Sequence, residues 1–259
     1  MKIRVFKLII LSLVVLLFIS GALNILCVHR ALSYYRALQW SRLDPIGEKV
    51  FAAKNQQLRE PELGEVRVIL FGDSRIAYWK PLPSLQNGQL VNRGINGQTT
   101  AQTLFRLETD VIRLKPAIAV LQVGINDLKM IGVWPERKDD IIHSCRENIN
   151  TIVDQMTEHN IQTVVLTVFP PGPVGLLRKL VWSSDIHRGV EQINQMIREL
   201  QGQGITVVDC DPILVSDHEI KPEYALGTLH LTPAGYEALN SLLRPVLNEL
   251  IQDHLKLQN

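Results

Sequence analysis

Four short segments of this 259-residue chain hold side chains that together could carry out nucleophilic chemistry. Phe71-Gly72-Asp73-Ser74 places a hydroxyl directly after an apolar run. A hydroxyl is a poor nucleophile near neutral pH unless a positioned base takes its proton. His230, in Leu229-His230-Leu231-Thr232-Pro233-Ala234-Gly235-Tyr236, is a candidate for that base. Gly124-Ile125-Asn126-Asp127 supplies an amide able to donate to a developing oxyanion. The glycines of Asn92-Arg93-Gly94-Ile95-Asn96-Gly97-Gln98-Thr99-Thr100 let backbone N–H groups come close to a ligand and face an anion. Each segment also has an ordinary reading. Gly-Asp-Ser is a common turn sequence, the glycine segment is a helix-initiating loop, and Asn-Asp stabilises turns. A histidine ahead of a helix can be a cap or a surface group. Ile76 occupies the second glycine position of a G-x-S-x-G elbow, so Ser74 does not sit in that motif.

The elements that would position these residues follow from hydrophobic period. Val66–Phe71, Ala117–Val123, Ile161–Phe169 and Ile205–Val208 read as strands, with Gln89–Asn92 a weaker fifth. Between them run helical faces: Leu104, Leu107, Val111 and Leu114; Ile141, Cys145, Ile149, Ile152 and Met156; Val190, Ile193, Ile197 and Leu200. A last face holds Leu239, Leu242, Leu243, Val246 and Leu250, with Thr232-Pro233 opening its helix. Continuous apolar strands alternating with amphipathic helices predict a parallel sheet covered on both faces, a three-layer α/β/α domain. All four chemical segments then fall where strands end and loops begin, the place where such sheets bind ligands.

Composition narrows the partners. Hydrophobic residues make up 46% and charged residues 20%, which describes a globular chain. The net charge of +1 and the absence of a Lys/Arg stripe give no reason to expect nucleic acid. No CxxC or HExxH spacing occurs, so no metal is expected. Cys145 and Cys210 could pair in an oxidising compartment or stay buried as thiols. Cys27 follows Leu26, not the small residue expected before a lipidated cysteine.

Lys2, Arg4 and Lys7 precede a stretch, Leu8–Val28, interrupted only by Ser12, Ser20, Gly21 and Asn24. About 20 apolar residues span a bilayer core, and leading basic residues favour a cytoplasmic N-terminus. Residues 1–28 are therefore read as a transmembrane anchor, with the remainder extracytoplasmic. The rival reading is a signal peptide cleaved near Ser20-Gly21-Ala22, which would release the protein. Residues 29–64, broken at Pro45 and Pro61, read as a partly helical stalk or linker, and 65–252 as the domain.

Serine, glycine, asparagine and histidine thus follow in order, each at a strand-to-loop edge. The blocks FGDSR, NRGINGQTT, VGIND and HLTPAGY resemble those of the SGNH (GDSL-like) hydrolases over about residues 65–250. The resemblance implies a central, mostly parallel five-stranded sheet of flavodoxin-like type and a serine ester hydrolase without cofactor. It implies Ser74 as nucleophile and His230 as base. The oxyanion hole would be the Ser74 and Gly97 backbone N–H groups with the Asn126 amide. In one respect the chain departs from the family, which usually carries Asp three residues before the histidine. Gly227 stands there. Loss of the orienting carboxylate in a serine triad can cost about 10⁴ in turnover. Three accounts stand open: a Ser–His dyad held by a carbonyl or water; a substitute acid, Glu223, or Asp217 or Glu219 further back; or a weak enzyme, down to a non-catalytic binding module.

Two loops should wall the crevice. Leu128–Lys138 contains Met130, Ile131, Val133 and Trp134; Pro170–Ser184 contains Leu176, Leu177, Leu180, Val181 and Trp182 with Arg178 and Lys179. Such loops suit an acyl chain or a lipid surface, or else simply fill their own interior. Trp134 and Trp182 are candidate substrate contacts, and His187 is another candidate or a surface group. The substrates expected are small-molecule or lipid esters, as for a lysophospholipase, acyl esterase or thioesterase. Acetyl groups on an envelope polysaccharide are the alternative.

Overall fold

A computed structural model describes residues 2–216 and 219–258. The chain divides after Pro45 into two compact units. The first is one helix, α1 (Lys2–Leu43). Over residues 8–28 it is apolar on every side, and its mean hydropathy reaches 2.7 over an 18-residue window, so it is a candidate membrane span. It does not stop at Val28 but continues through the more polar stretch that follows.

The second unit begins with α2 (Glu48–Gln56), then β1 (Val66–Gly72), α3 (Ser74–Ala77), β2 (Gly88–Gly94), α4 (Thr100–Phe105) and α5 (Leu107–Asp110). Next come β3 (Ile118–Gln122), α6 (Ile125–Leu128), α7 (Lys138–Glu158), β4 (Gln162–Leu166), α8 (Asp185–Glu199) and β5 (Ile205–Val208). The unit closes with α9 (Asp211–Leu214), β6 (Val215–Ser216), β7 (Glu219–Ile220), β8 (Ala225–Leu226), β9 (His230–Leu231) and α10 (Pro233–Gln258). The five long strands form one sheet in the order β2-β1-β3-β4-β5. Every pairing in it is parallel, with Val68 opposite both Leu90 and Ile118. The expected flavodoxin-like α/β/α layering is present.

Strand residues alternate between two cores. Ile69, Phe71, Ala119, Leu121 and Val165 face α7 and α8. Val68, Leu70, Val120 and Val164 face α10 through Leu239, Leu243, Leu247 and Ile251. Both cores are built wholly from residues beyond Pro45. Cys145 lies in the first and Cys210 in the second, and both are free thiols, so they do not pair.

Two features differ from the periodic reading. The face Leu104–Leu114 is not one helix but α4, α5 and a 3-10 turn over Ile112–Leu114. Arg106 turns inward there, donating to the Gly72 carbonyl and Asp110 Oδ2, which breaks the helix between α4 and α5. Residues 46–64 fold onto the sheet unit instead of extending away from it. Phe51 is buried beneath Arg93, and Asn55 bonds the Thr109 carbonyl, Asp110 Oδ1 and Arg93 Nε. The Arg59 carbonyl accepts from buried Arg67 and from Gln89.

Candidate functional site

The strand order reverses at β1, and the side chains of interest gather beyond the carboxyl ends of β1, β2 and β3. Asp73 follows β1 and caps α3, its Oδ1 accepting from the Arg75 N–H at 2.8 Å. The cap turns the chain so that Ser74 opens α3 with a backbone N–H that has no partner among the described residues. Ser74 is 8% exposed, and its Oγ lies 3.0 Å from His230 Nε2.

His230 arrives from the far end of the chain on a two-stranded hairpin in which Leu226 pairs with His230. Gly227 makes the turn at φ +66°, the left-handed region that favours glycine. Three bonds fix the hairpin from outside. The Gly172 N–H donates to the Thr228 carbonyl, and Thr228 Oγ1 donates to the Pro173 carbonyl. Arg75 Nε donates to the Leu229 carbonyl at 2.9 Å from a fully buried side chain stacked on Phe169. Tyr78 meets the imidazole edge-on, with ring centroids 5.2 Å apart.

Asn126 begins the turn after β3. Its Nδ2 donates to the Gln98 carbonyl at 3.0 Å and, more weakly, to Asp73 Oδ2 at 3.3 Å. Its Oδ1 accepts from Lys129 Nζ at 2.6 Å, which fixes which end of the amide faces the serine segment. Gly97, between Gln98 on Asn126 and Asn96 on the Tyr78 hydroxyl, has φ +76°, and its N–H has no partner among the described residues. Asp127 turns away and receives both the N–H and the hydroxyl of Thr100, which ties the asparagine turn to α4. The structure thus gathers Ser74, Gly97, Asn126 and His230 in one place.

The electrostatics favour a neutral imidazole. Burial first, then the charges of Arg75, Arg178 and Lys129, hold His230 below its ordinary value near 6.5. Burial lifts Asp73 to about 6 and Asp127 to about 6 against their stabilising hydrogen bonds. Burial likewise lowers the Arg75 guanidinium to about 10, which still leaves it charged at neutral pH.

No carboxylate among the described residues bonds the imidazole. Glu223 is exposed, and only its backbone carbonyl is used, by Thr232, so it is not the substitute acid. Glu219 lies instead beside Trp182 and His187 at another hollow. Asp217 lies outside the described residues. Neither Trp134 nor Trp182 lines the hollow that includes His230. Trp134 lines a hollow with Asp127 and Asn148, and Trp182 packs on the core at the base of its loop. The hollow that does include His230, about 300 Å³, has Tyr78, Leu226, Leu231 and Tyr236 among its walls.

Four residues of the site were not assigned roles from the sequence. Tyr78 and Lys129 had a signal, since each lies one helical turn beyond Ser74 or Asn126. Arg75 had none, because the Leu229 carbonyl is remote in the chain; the spacing of Arg106 and Asp110 shows their pair but not the bond from Arg106 to the Gly72 carbonyl.

The sequence profile of the GDSL-like lipase/acylhydrolase family matches residues 70–238. The uncharacterized lipoprotein YqeF of Bacillus subtilis (strain 168) is 29% identical over 119 residues, which is 40% of this chain and 48% of that protein. The match thus spans about half the length of this curated relative. Among solved structures, a GDSL-like lipase from Bacteroides thetaiotaomicron superimposes with a TM-score of 0.63 at 24% identity, covering 79% of this chain and 98% of that one. The lipase/acylhydrolase from Enterococcus faecalis gives 0.53 at 21% identity, covering 71% and 96%. At such identities the structural likeness speaks for the fold.

Proposed function

The chain belongs to the GDSL-like lipase/acylhydrolase family, and on that footing we propose that it hydrolyses carboxylic esters through an acyl-serine intermediate on Ser74. The observation that carries the reading is the 3.0 Å contact between Ser74 Oγ and His230 Nε2 at the ends of two segments remote in sequence. His230 takes the Ser74 proton as Oγ attacks the ester carbonyl, then passes that proton to the departing alkoxide. Water repeats the sequence on the acyl-enzyme, releasing the acid and restoring the serine. The Ser74 and Gly97 N–H groups and Asn126 Nδ2 receive the oxyanion, and Nδ2 exchanges its long contact with Asp73 for the new charge. The ring is oriented by the Arg75-anchored hairpin and the Tyr78 edge in place of a carboxylate, a Ser–His dyad.

The apolar hollow beside His230 supports acyl esters of the lysophospholipase or general esterase type over acetyl groups on a polysaccharide. The N-terminal helix supports a protein tethered to a membrane, with cleavage and release as the alternative. The missing acid at Gly227 supports one second reading, a scaffold that binds esters without turning them over.

The experiment is hydrolysis of short and long p-nitrophenyl esters, with fluorophosphonate labelling, for the wild type, Ser74→Ala and His230→Ala. Activity and labelling lost in both variants are expected. Folded wild-type protein that neither labels nor exceeds the variants would leave the binding reading standing.

A further inference from the structure

Leu63, Phe105 and Leu257 are single exposed apolar side chains of the sheet unit, but one short loop exposes several together. In residues 174–182, Leu176 at 82% and Leu177 at 83% exposure lie just ahead of a 3-10 turn (Arg178–Val181) that holds Leu180 at 83%, with Val181 also exposed. Arg178 and Lys179 stand among them, and no acidic residue occurs from Pro170 to Ser184. This is not a loop that fills its own interior, because its leucines point outward. It is nevertheless held in place. Trp182 packs on the core, and Arg178 lies over the Trp182 ring at 5.8 Å. Gly132 passes so close to the Val181 carbonyl that a Cβ there would come within 2.1 Å of its oxygen. That contact brings half-exposed Val133 and Trp134 alongside. At its other end, Gly172 and Pro173 bond the hairpin that carries His230.

We propose that this loop, with Val133 and Trp134 beside it, is a membrane-contact surface that enters the headgroup region of an anionic bilayer next to the Ser74–His230 site. Leucines that face water gain by entering the acyl boundary, and interleaved cations gain from anionic headgroups. An anionic bilayer matches both features of the loop, its outward leucines and the cations among them with no acidic residue between Pro170 and Ser184. The chain also carries its own apolar helix long enough to cross a membrane, which makes a bilayer the surface at hand. The surface needs no catalytic step, so it can be tested whether or not the ester-hydrolase reading stands.

The full chain with Cys27→Ser and Leu180→Cys would be labelled with an environment-sensitive fluorophore, Cys145 and Cys210 being buried. It would then be reconstituted in vesicles of phosphatidylcholine, with or without one part in three phosphatidylglycerol. Blue-shifted emission quenched by doxyl-labelled lipid is expected, stronger with phosphatidylglycerol, and Arg178→Ser/Lys179→Ser should remove that preference. Residues 46–259, which contain both cores, should co-sediment with phosphatidylglycerol vesicles, and Leu176→Ser/Leu177→Ser/Leu180→Ser should weaken this about tenfold or more. Hydrolysis of a water-soluble short ester should be unchanged in that triple variant; an inactive wild type would count against the hydrolase reading alone. Water-like, unquenched emission, or a triple variant that still sediments like wild type, would overturn the proposal. So would dimerisation of the fragment that the same substitutions abolish without any vesicle binding, since a second copy would then be the occupant.

Discussion

His230 gives one ring nitrogen to Ser74, and its other nitrogen meets no carboxylate among the described residues. A Cβ added at Gly227 would meet no atom within 4 Å, so the first atom of a side chain has open space there, although φ +66° is strained for any side chain. Gly227→Asp should raise kcat about tenfold or more by holding the imidazole in one tautomer. It should cost about 1 kcal/mol of stability, from the left-handed backbone. Gly227→Asn has nearly the same shape and should show the stability loss without the rate gain; equal rates for both would remove the orienting role. The ring's surroundings also set a pH dependence. Burial and three cations disfavour imidazolium, so the folded His230 stays neutral below 6.5 and loses its basic function only as pH falls through that lowered value. The acid limb of kcat/KM should therefore lie below 6.5. Lys129→Met removes one of the three charges and should move that limb to higher pH. The strand-end placement of Ser74, Asn126 and His230 was legible in the sequence, and it was the resemblance of the four blocks to the SGNH hydrolases that singled these residues out. The absence of an acid at 227 was legible too, but what takes its place was not, because Arg75 reaches the Leu229 carbonyl across 154 positions.

The hairpin β8–β9 is the element that turns a remote histidine into a neighbour of Ser74, and Arg75 is its internal anchor. Only Nε of that buried guanidinium is bonded; its two terminal nitrogens have no partner among the described residues. A desolvated, under-satisfied cation contributes little to stability. Arg75→Met should therefore change the unfolding free energy by no more than about 1–2 kcal/mol, a lost carbonyl bond set against a removed buried charge. The same change should lower kcat by tenfold or more, because the Leu229 carbonyl no longer fixes the hairpin. Urea unfolding beside steady-state kinetics separates the two; a large stability loss with unchanged kcat would make Arg75 a packing residue only. At this scale the sequence pattern served where one period ran unbroken. The five strands and α7, α8 and α10 fall where their apolar residues predicted. It failed over Leu104–Leu114, where the apolar spacing continues but inward-turned Arg106 ends the first helix. The β8–β9 hairpin had no periodic signature either, since two residues a strand is too short for one.

Across the whole chain, the boundary of the sheet unit lies earlier than apolar patterning alone would put it. The first strand begins at Val66, yet the unit begins at Ile46. Residues 46–64 are about half polar and read as a linker because their value lies more in what they satisfy than in what they bury. Asn55 completes Arg93 and Asp110, the Arg59 carbonyl completes Arg67 and Gln89, and Gln98 Nε2 donates to the Ile46 carbonyl at 2.6 Å. Phe51 adds one buried ring. Removing this stretch exposes that ring's site and leaves buried donors without acceptors at about 1 kcal/mol or more each, so a fragment starting at residue 65 should lose about 4 kcal/mol or more relative to one starting at 46. Gln98 also presents its own carbonyl to Asn126, so the shorter fragment should lose esterase activity disproportionately. The fragment from 46, in contrast, should unfold at the same temperature as the sheet unit of the full chain, because neither core draws on residues before Ile46. Differential scanning calorimetry of the three proteins decides it. Equal transitions for the fragments from 46 and 65 would make residues 46–64 a true linker, and their hydrogen bonds would then contribute nothing measurable to the fold.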